Sequence, residues 1–397
     1  MNINDNSVDL KSLISNPELG YYICDGKIFT SKIEACIYAT KTSKSIDWIF
    51  NDEIFSSYDW SDEPEYSLDY YYDKRARELR EKYDYIVISY SGGADSHNLL
   101  QSFLRQNLFV NELVINVFEK SNNIYVKDSN ITDNWNYAAE YSLQIYPRLE
   151  EIRNQSPRTK INVVDMSDAV FDSLRKAGDA SWIMDKKEVL NVSGVTRYNY
   201  VWFKDIKKKF DKDKKIALIL GNEKPMTLIK DDKFYVLFYD VSANISMAQE
   251  HLTEHPNAKV EMFYWNPSCC NMICKQVHVI KKWLEMNPQM KPIWTPKTRA
   301  EFNKNQGLYH HPILRTLVYS TWNTSWFQTR KGRQGWYNEI DTWFHKLYSD
   351  TPEYGIWKEG LKYVETNAAP YVYKDEFGMP AGLNGFNKMY LVGKIKP

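Results

Sequence analysis

The feature that most constrains this chain is a change of hydrophobic period between residues 85 and 104. Tyr85-Ile86-Val87-Ile88-Ser89-Tyr90 is rich in β-branched and aromatic residues and reads as a buried strand. Two adjacent glycines, Gly92 and Gly93, break it, because glycine takes the tight backbone of a strand-to-helix turn freely. Beyond them Leu99, Leu100, Phe103 and Leu104 recur at helical spacing. The expected order is strand, glycine loop, helix.

That order suits an anion. The first turn of a helix carries free N–H groups and a partial positive charge. Successive loop amides form a concave nest around negative charge. Ser91 and Ser96 add hydroxyl donors. Asp95 is out of place in an anion site unless a cation accompanies the phosphates, so Mg²⁺ is expected there.

The rest of the chain repeats the rhythm. Glu112 to Phe118, Ile161 to Met166, Ile216 to Leu220 and Glu261 to Trp265 read as strands. Asn134 to Arg153, a stretch opened by Ser167, and Gly194 to Phe210 read as helices. This alternation predicts an α/β fold: a mostly parallel twisted sheet with helices on both faces. Ligands of such sheets bind beyond the C-terminal ends of the strands. Met226 to Lys230 and Lys233 to Asp240 read as a hairpin that extends the sheet edge or covers the site.

Three segments are expected. Residues 1–82 form a small α+β accessory module, with a hairpin around Asp25-Gly26, a helix capped at Thr30 or Ser31, and an acidic, Tyr-rich surface stretch over 51–73. Residues 83–285 form the nucleotide-binding domain. Residues 286–397 form a mainly helical, aromatic-rich lid or substrate region with an irregular tail, in which Arg315, Arg330, Lys331 and Arg333 are basic candidates. On the predicted helix after Pro267, Lys275 and His278 share a polar face and are candidates for a phosphate clamp and an acid–base group.

Charge is balanced at 51 basic and 51 acidic residues, which does not indicate a broad nucleic-acid or membrane surface. Five cysteines without regular spacing do not read as a disulfide framework, and Cys269, Cys270, Cys274 and His278 do not match ordinary metal spacing. The polar N-terminus and the absence of a long apolar run point to a cytoplasmic protein.

Ser91-Gly92-Gly93-Ala94-Asp95-Ser96 resembles the Ser-Gly-Gly-x-Asp-Ser signature of the PP-loop ATP pyrophosphatases. That superfamily includes the asparagine, NAD, GMP and argininosuccinate synthetases, queuosine-pathway and tRNA-thiolating enzymes and the PAPS reductases. No Lys-Ser/Thr follows the glycines and no G-x-G-x-x-G is present at this loop. The likeness covers about Tyr83 to Trp283 and is nearest in character to the synthetase domain of asparagine-synthetase type. It implies a PP-loop type sheet and ATP held by Ser89, Ser91, Gly92, Gly93, Ala94, Asp95 and Ser96. It implies adenine at Val117 and Phe118, and Mg-pyrophosphate near Gly221 and Glu223, where the usual Asp-Glu pair is incomplete. Metal ligation would fall to Asp95 and Glu223.

The implied chemistry is a ligase reaction in which ATP is split to AMP and pyrophosphate. A carboxyl or carbonyl substrate, a small molecule or a nucleotide, is adenylated and then attacked by ammonia or an amine. Glutamine-using asparagine synthetases carry a cysteine directly after the initiator Met, whereas Asn2 stands here, so the nitrogen donor is expected to be free or supplied by a separate protein. The alternatives are sulfur transfer or PAPS-reductase-like chemistry, and a non-catalytic nucleotide-binding subunit of a modification complex. No Cys-x-x-Cys pair occurs and the last cysteine is Cys274, far from the C-terminus.

Overall fold

The computed structural model describes residues 14, 16–117, 140–165, 167–184, 209–221, 223–240, 255–328, 348–374, 380–382 and 385–396. Thirteen strands are described, numbered in chain order. The central five are β4 (Tyr85–Ser89), β5 (Glu112–Val117), β6 (Lys160–Asp165), β7 (Ile216–Leu220) and β10 (Ala258–Met262). They form one all-parallel sheet in the order β10-β7-β4-β5-β6, flanked by helices. Every residue of β7 is buried, as are Ile86, Val87 and Ile88 of β4, which is why these strands read as continuous apolar runs rather than alternating ones.

The strand order locates a crevice. From β4 the chain moves outward to β5 and β6, then returns to the other side of β4 as β7 and continues to β10. The direction of winding therefore reverses between β4 and β7, where open parallel sheets leave room for a ligand beyond the strand ends. Ser89 is level with Leu220 on one side and Val114 on the other, so the loops leaving β4 and β7 start at the same height.

Helices α1 (Lys32–Thr42), α2 (Asp52–Ser57) and α3 (Leu68–Lys82) precede β4, and α4 (Ala94–Leu104) follows it. Later come α5 (Tyr146–Gln155), α6 (Ser167–Ala177), α7 (Cys270–Met286), α8 (Lys291–Trp294), α9 (Arg299–Asn305), α10 (His311–Val318) and α11 (Pro352–Asn367). The amides of Glu34 and Tyr70 are capped by the hydroxyls of Ser31 and Ser67 at the starts of α1 and α3. The segment expected as helix over 194–210 lies outside the described residues except for its last two positions.

Several expectations are corrected. The 51–73 stretch is not a surface loop: it contains α2 and the start of α3, and Phe55, Trp60 and Tyr72 are buried. Strand β10 ends at Met262, level with Leu220, so the apolar Phe263-Tyr264-Trp265 run is buried beyond the strand. The hairpin of β8 (Met226–Lys230) and β9 (Lys233–Leu237) does not extend the parallel sheet. It forms a separate antiparallel sheet with β13 (Tyr390–Lys394), so the tail expected to be irregular supplies an outer strand. Near the start of the chain, β1 (Tyr21–Cys24) pairs with β2 (Lys27–Phe29) and β3 (Asp47–Ile49), with Asp25 and Gly26 at positive φ in the expected turn. The short strands β11 (Val372–Lys374) and β12 (Pro380–Gly382) form a further pair.

An aromatic stack ties distant parts of the chain together. Phe55 stacks on Phe238 at 4.6 Å, Trp60 on Tyr390 at 5.7 Å, and Trp265 meets Phe238 edge-on at 5.2 Å. Such pairs contribute about 0.5–1.5 kcal/mol each beyond their burial. The three expected segments thus share one connected core.

Candidate functional site

The site begins where β4 ends. Gly93 caps the N-terminus of α4, and Gly92 sits at φ +66, a conformation that L side chains rarely adopt. A Cβ on Gly92 would also lie 3.0 Å from Ile145 Cγ1 and 3.2 Å from the Gln144 carbonyl.

Each carbonyl of the loop is held by a donor. Gln144 Nε2 donates to Ser91 O at 2.8 Å, and Arg148 Nη1 donates to Gly92 O. Gly93 O accepts from Ser96 Oγ at 3.2 Å and from the His97 amide at 2.9 Å. Two amides are engaged by hydroxyls: Ser91 N with Ser96 Oγ at 3.2 Å and Gly93 N with Ser91 Oγ at 3.4 Å. The amides of Ala94, Asp95 and Ser96 have no backbone acceptor among the described residues. They are the orphan donors of the first helical turn and carry the positive end of α4. A loop whose carbonyls are tied down and whose next amides are unspent is built to receive negative charge.

The loop after β7 forms the second wall. A Cβ on Gly221 would lie 2.9 Å from both the Cα and the amide N of Ser96, so only glycine lets the end of β7 press against the first turn of α4. Gly221 therefore acts here as a contact surface for α4. Lys224 is 5 % exposed, and its Nζ donates to Asp95 Oδ1 at 2.6 Å. The Tyr319 hydroxyl donates to the same oxygen at 2.6 Å, and Tyr264 donates to the Asp95 carbonyl at 2.9 Å. Asn98 Nδ2 in turn donates to the Tyr264 hydroxyl at 3.1 Å. Burial, then neighbouring phenols and the Asp95 charge, push both tyrosines upward, so they stay protonated donors. Four parts of the chain meet at Asp95: α4, the β7 loop, the segment after β10 and the segment after α10.

These residues do not amount to a metal cage. Asp95 Oδ1 already accepts from an ammonium and a phenol. Glu223 is buried, with one carboxylate oxygen 3.9 Å from His311 Nδ1. No group of three or more His, Cys, Asp or Glu side chains that could hold a metal occurs among the described residues.

On the other flank, the Arg148 guanidinium lies 4.3 Å from the Trp326 ring centroid and 5.3 Å from that of Trp322. His97 packs edge-on against Trp326 at 5.0 Å, and its Nδ1 is 3.2 Å from the Tyr90 hydroxyl. Burial, helped by the Arg148 charge, pushes His97 down to about 4, so it is neutral at physiological pH. Gln328 Nε2 donates to Gln144 Oε1 at 3.2 Å.

The structure brings together Ser89, Ser91 to Ser96 and Gly221 at the β4–β7 crevice, with Glu223 adjacent. Val117 is buried at the end of β5, while Phe118 lies outside the described residues, as do Arg330, Lys331 and Arg333. Lys275 and His278 are placed elsewhere. Lys275 Nζ binds Glu63 at 2.8 Å and the Pro64 carbonyl at 3.0 Å, and His278 Nε2 lies 3.0 Å from the Trp60 carbonyl. Their polar face is real, but the acidic segment before α3 covers it, which removes them as clamp and acid–base pair. Burial pushes His278 down, and pushes Cys36, Cys270 and Cys274 up to about 12, so these thiols are protonated.

Sequence reasoning missed Lys224, Tyr319, Gln144 and Arg148. Gln144 and Arg148 are four residues apart, which places them on one helical face, a signal that spacing alone could have raised. No protein-family model matches the chain, and a search of curated proteins returns no match.

Proposed function

We propose that the chain binds ATP at the β4–β7 crevice and is an AMP-forming ligase. The observation that carries this reading is the loop itself: tied carbonyls, unspent first-turn amides and a glycine-requiring backbone, at the reversal point of a parallel sheet. Lys224 adds a buried cation beside the same helical turn.

In this reading a substrate carboxylate or carbonyl oxygen attacks the α-phosphorus of ATP. The bond between the α-phosphorus and its bridging oxygen breaks, and pyrophosphate leaves with the electron pair. Ammonia or an amine then attacks the activated carbon and AMP departs. The loop amides and the Ser91 and Ser96 hydroxyls hold the phosphates in line and offset charge on the leaving group. Were Mg²⁺ to accompany the nucleotide, Asp95 and Glu223 would be the carboxylates available to it, and it would offset charge on the leaving pyrophosphate. The cytoplasm is the compartment that fits; among the described residues no helix is long and apolar enough to cross a membrane.

A second reading is nucleotide binding without turnover, favoured by one observation: Asp95 is already engaged by Lys224 and Tyr319. Incubation with Mg²⁺ and α-labelled ATP, with and without pools of amino acids, nucleotides and ammonium, separates the two. AMP with pyrophosphate is the expected product, and Asp95→Ala is expected to abolish it while leaving a folded protein. ADP with phosphate would contradict the ligase reading. Thermal stabilisation by ATP without any AMP would favour the binding module.

A further inference from the structure

Arg148 is a buried cation whose company is unusual. It is 4 % exposed, and its Nη1 donates to two backbone carbonyls, Gly92 O and Gln144 O. No carboxylate forms an ion pair with it among the described residues, and its Nε has no acceptor there. Trp322 and Trp326 cover the guanidinium with their ring faces, a favourable contact for a cation but not a neutralising one. A buried charge is normally compensated by an opposite one. Among the described residues the Arg148 charge is offset by Glu151, without an ion pair closing on the guanidinium.

Gln144, four residues earlier, holds the neighbouring carbonyl of Ser91. The two side chains thus grip consecutive peptide groups of the loop. A peptide held by its oxygen presents its N–H to the opposite side, because the two groups are trans across a planar bond. Fixing Ser91 O and Gly92 O therefore fixes the amides of Gly92 and Gly93. The arrangement is set before any ligand arrives, which lowers the ordering cost of binding.

We infer that Gln144 and Arg148 are positioning residues for the phosphate loop, acting through the Ser91 and Gly92 carbonyls. This rests on the ATP-binding reading above and adds to it the residues that preset the loop. It also makes the segment at Trp322 and Trp326 the cover of the brace, so the C-terminal region reaches the loop through Arg148.

The test measures binding of ATP and of inorganic pyrophosphate to the full chain by calorimetry, with thermal unfolding run beside it. Arg148→Met is expected to weaken both ligands by about tenfold or more. Arg148→Lys, which keeps the charge and one donor, is expected to recover part of that loss, an outcome a purely structural role would not produce. Gln144→Leu removes the grip on Ser91 O without touching the charge and is expected to weaken both ligands to a lesser degree. Binding by Arg148→Met within about twofold of the wild type would overturn the inference. Should Arg148→Met fail to fold, Gln144→Leu decides, and unchanged affinity there overturns it. If the wild-type chain binds neither ATP nor pyrophosphate, the phosphate reading falls and the brace falls with it.

Discussion

Two buried charge clusters lie at the C-terminal ends of two strands of one sheet, β10 and β4, with β7 between them, and they are built on opposite plans. The first surrounds Glu261 in β10. Arg75 Nη2 lies 3.0 Å from its carboxylate, Lys82 Nζ 2.7 Å and Asn266 Nδ2 3.4 Å, and the Tyr83 hydroxyl donates as well. The second surrounds the loop after β4, with Asp95 and Lys224 on one side and Arg148 on the other. Around Glu261 both cations meet the carboxylate directly, although Arg75 Nε has no acceptor among the described residues. At the loop, Arg148 meets carbonyl oxygens and no ion pair closes on it among the described residues, and the amides of Ala94, Asp95 and Ser96 have no backbone acceptor there. The closed cluster fastens α3 to the sheet; the open one is arranged for something that arrives from outside. Burial alone does not separate a structural ion pair from a binding site, whereas completeness of partnering does.

The comparison can be broken most forcefully at Arg75. Arg75→Met leaves Glu261 buried with only the half-exposed Lys82 as a cation, and is expected to cost about 3–5 kcal/mol in urea unfolding. Nucleotide affinity of the folded protein should not change; a parallel loss of affinity would mean that the two clusters are not independent.

Acid separates the clusters next. His97, beside the loop, falls from an ordinary 6.5 to about 4, so its neutral form is the one the fold accommodates. Its contribution is complete above 6.5 and drains away as pH falls toward 4, by about 3 kcal/mol in all. Burial would raise Glu261, but Arg75, Lys82 and Tyr83 hold it below the usual carboxylate value. Its contribution is complete above that value and is lost only at lower pH. Unfolding curves collected from pH 7 downward should therefore lose stability first through His97. His97→Gln should flatten the profile above pH 4, and a slope that survives would assign the acid sensitivity elsewhere.

Gly221→Ala sharpens the contrast at lower cost. The new methyl meets the backbone of α4 rather than a movable side chain, so about 1–3 kcal/mol of stability should be lost. Because the displaced atoms belong to Asp95 and Ser96, ATP binding should weaken with it, unlike the Arg75 variant. The smallest effect is expected for Lys82→Met. Lys82 touches Glu261, but its side chain is 54 % exposed, so a stability change of about 0–1 kcal/mol is expected in the same urea assay.

The loop was legible because its signal is local: a strand, two glycines and a helix in consecutive residues. The parallel strands were legible for the same reason, with Ile216–Leu220 found to the residue. What was not legible is what covers a face. The spacing of Lys275 and His278 identifies a polar side of α7, but an acidic segment two hundred residues earlier in the chain lies on it. Asp95 likewise promised a cation, and the cation that meets it is Lys224, supplied by a strand end that only the sheet order brings near. The brace was hidden because Gln144 and Arg148 act on backbone oxygens, which leave no mark in a side-chain pattern.

During synthesis β8 and β9 leave the ribosome long before β13 exists to cover the edge of β9. Until then that edge is an open row of hydrogen-bonding groups, a template on which other chains can pair. Pairing partners so distant in sequence also form slowly. The β4 loop and α4, by contrast, are joined by bonds between near neighbours and can close as soon as they emerge. A nascent chain would thus close its glycine loop on α4 early while its hairpin still invited association, and β13 would act as the stopper that ends this vulnerable interval.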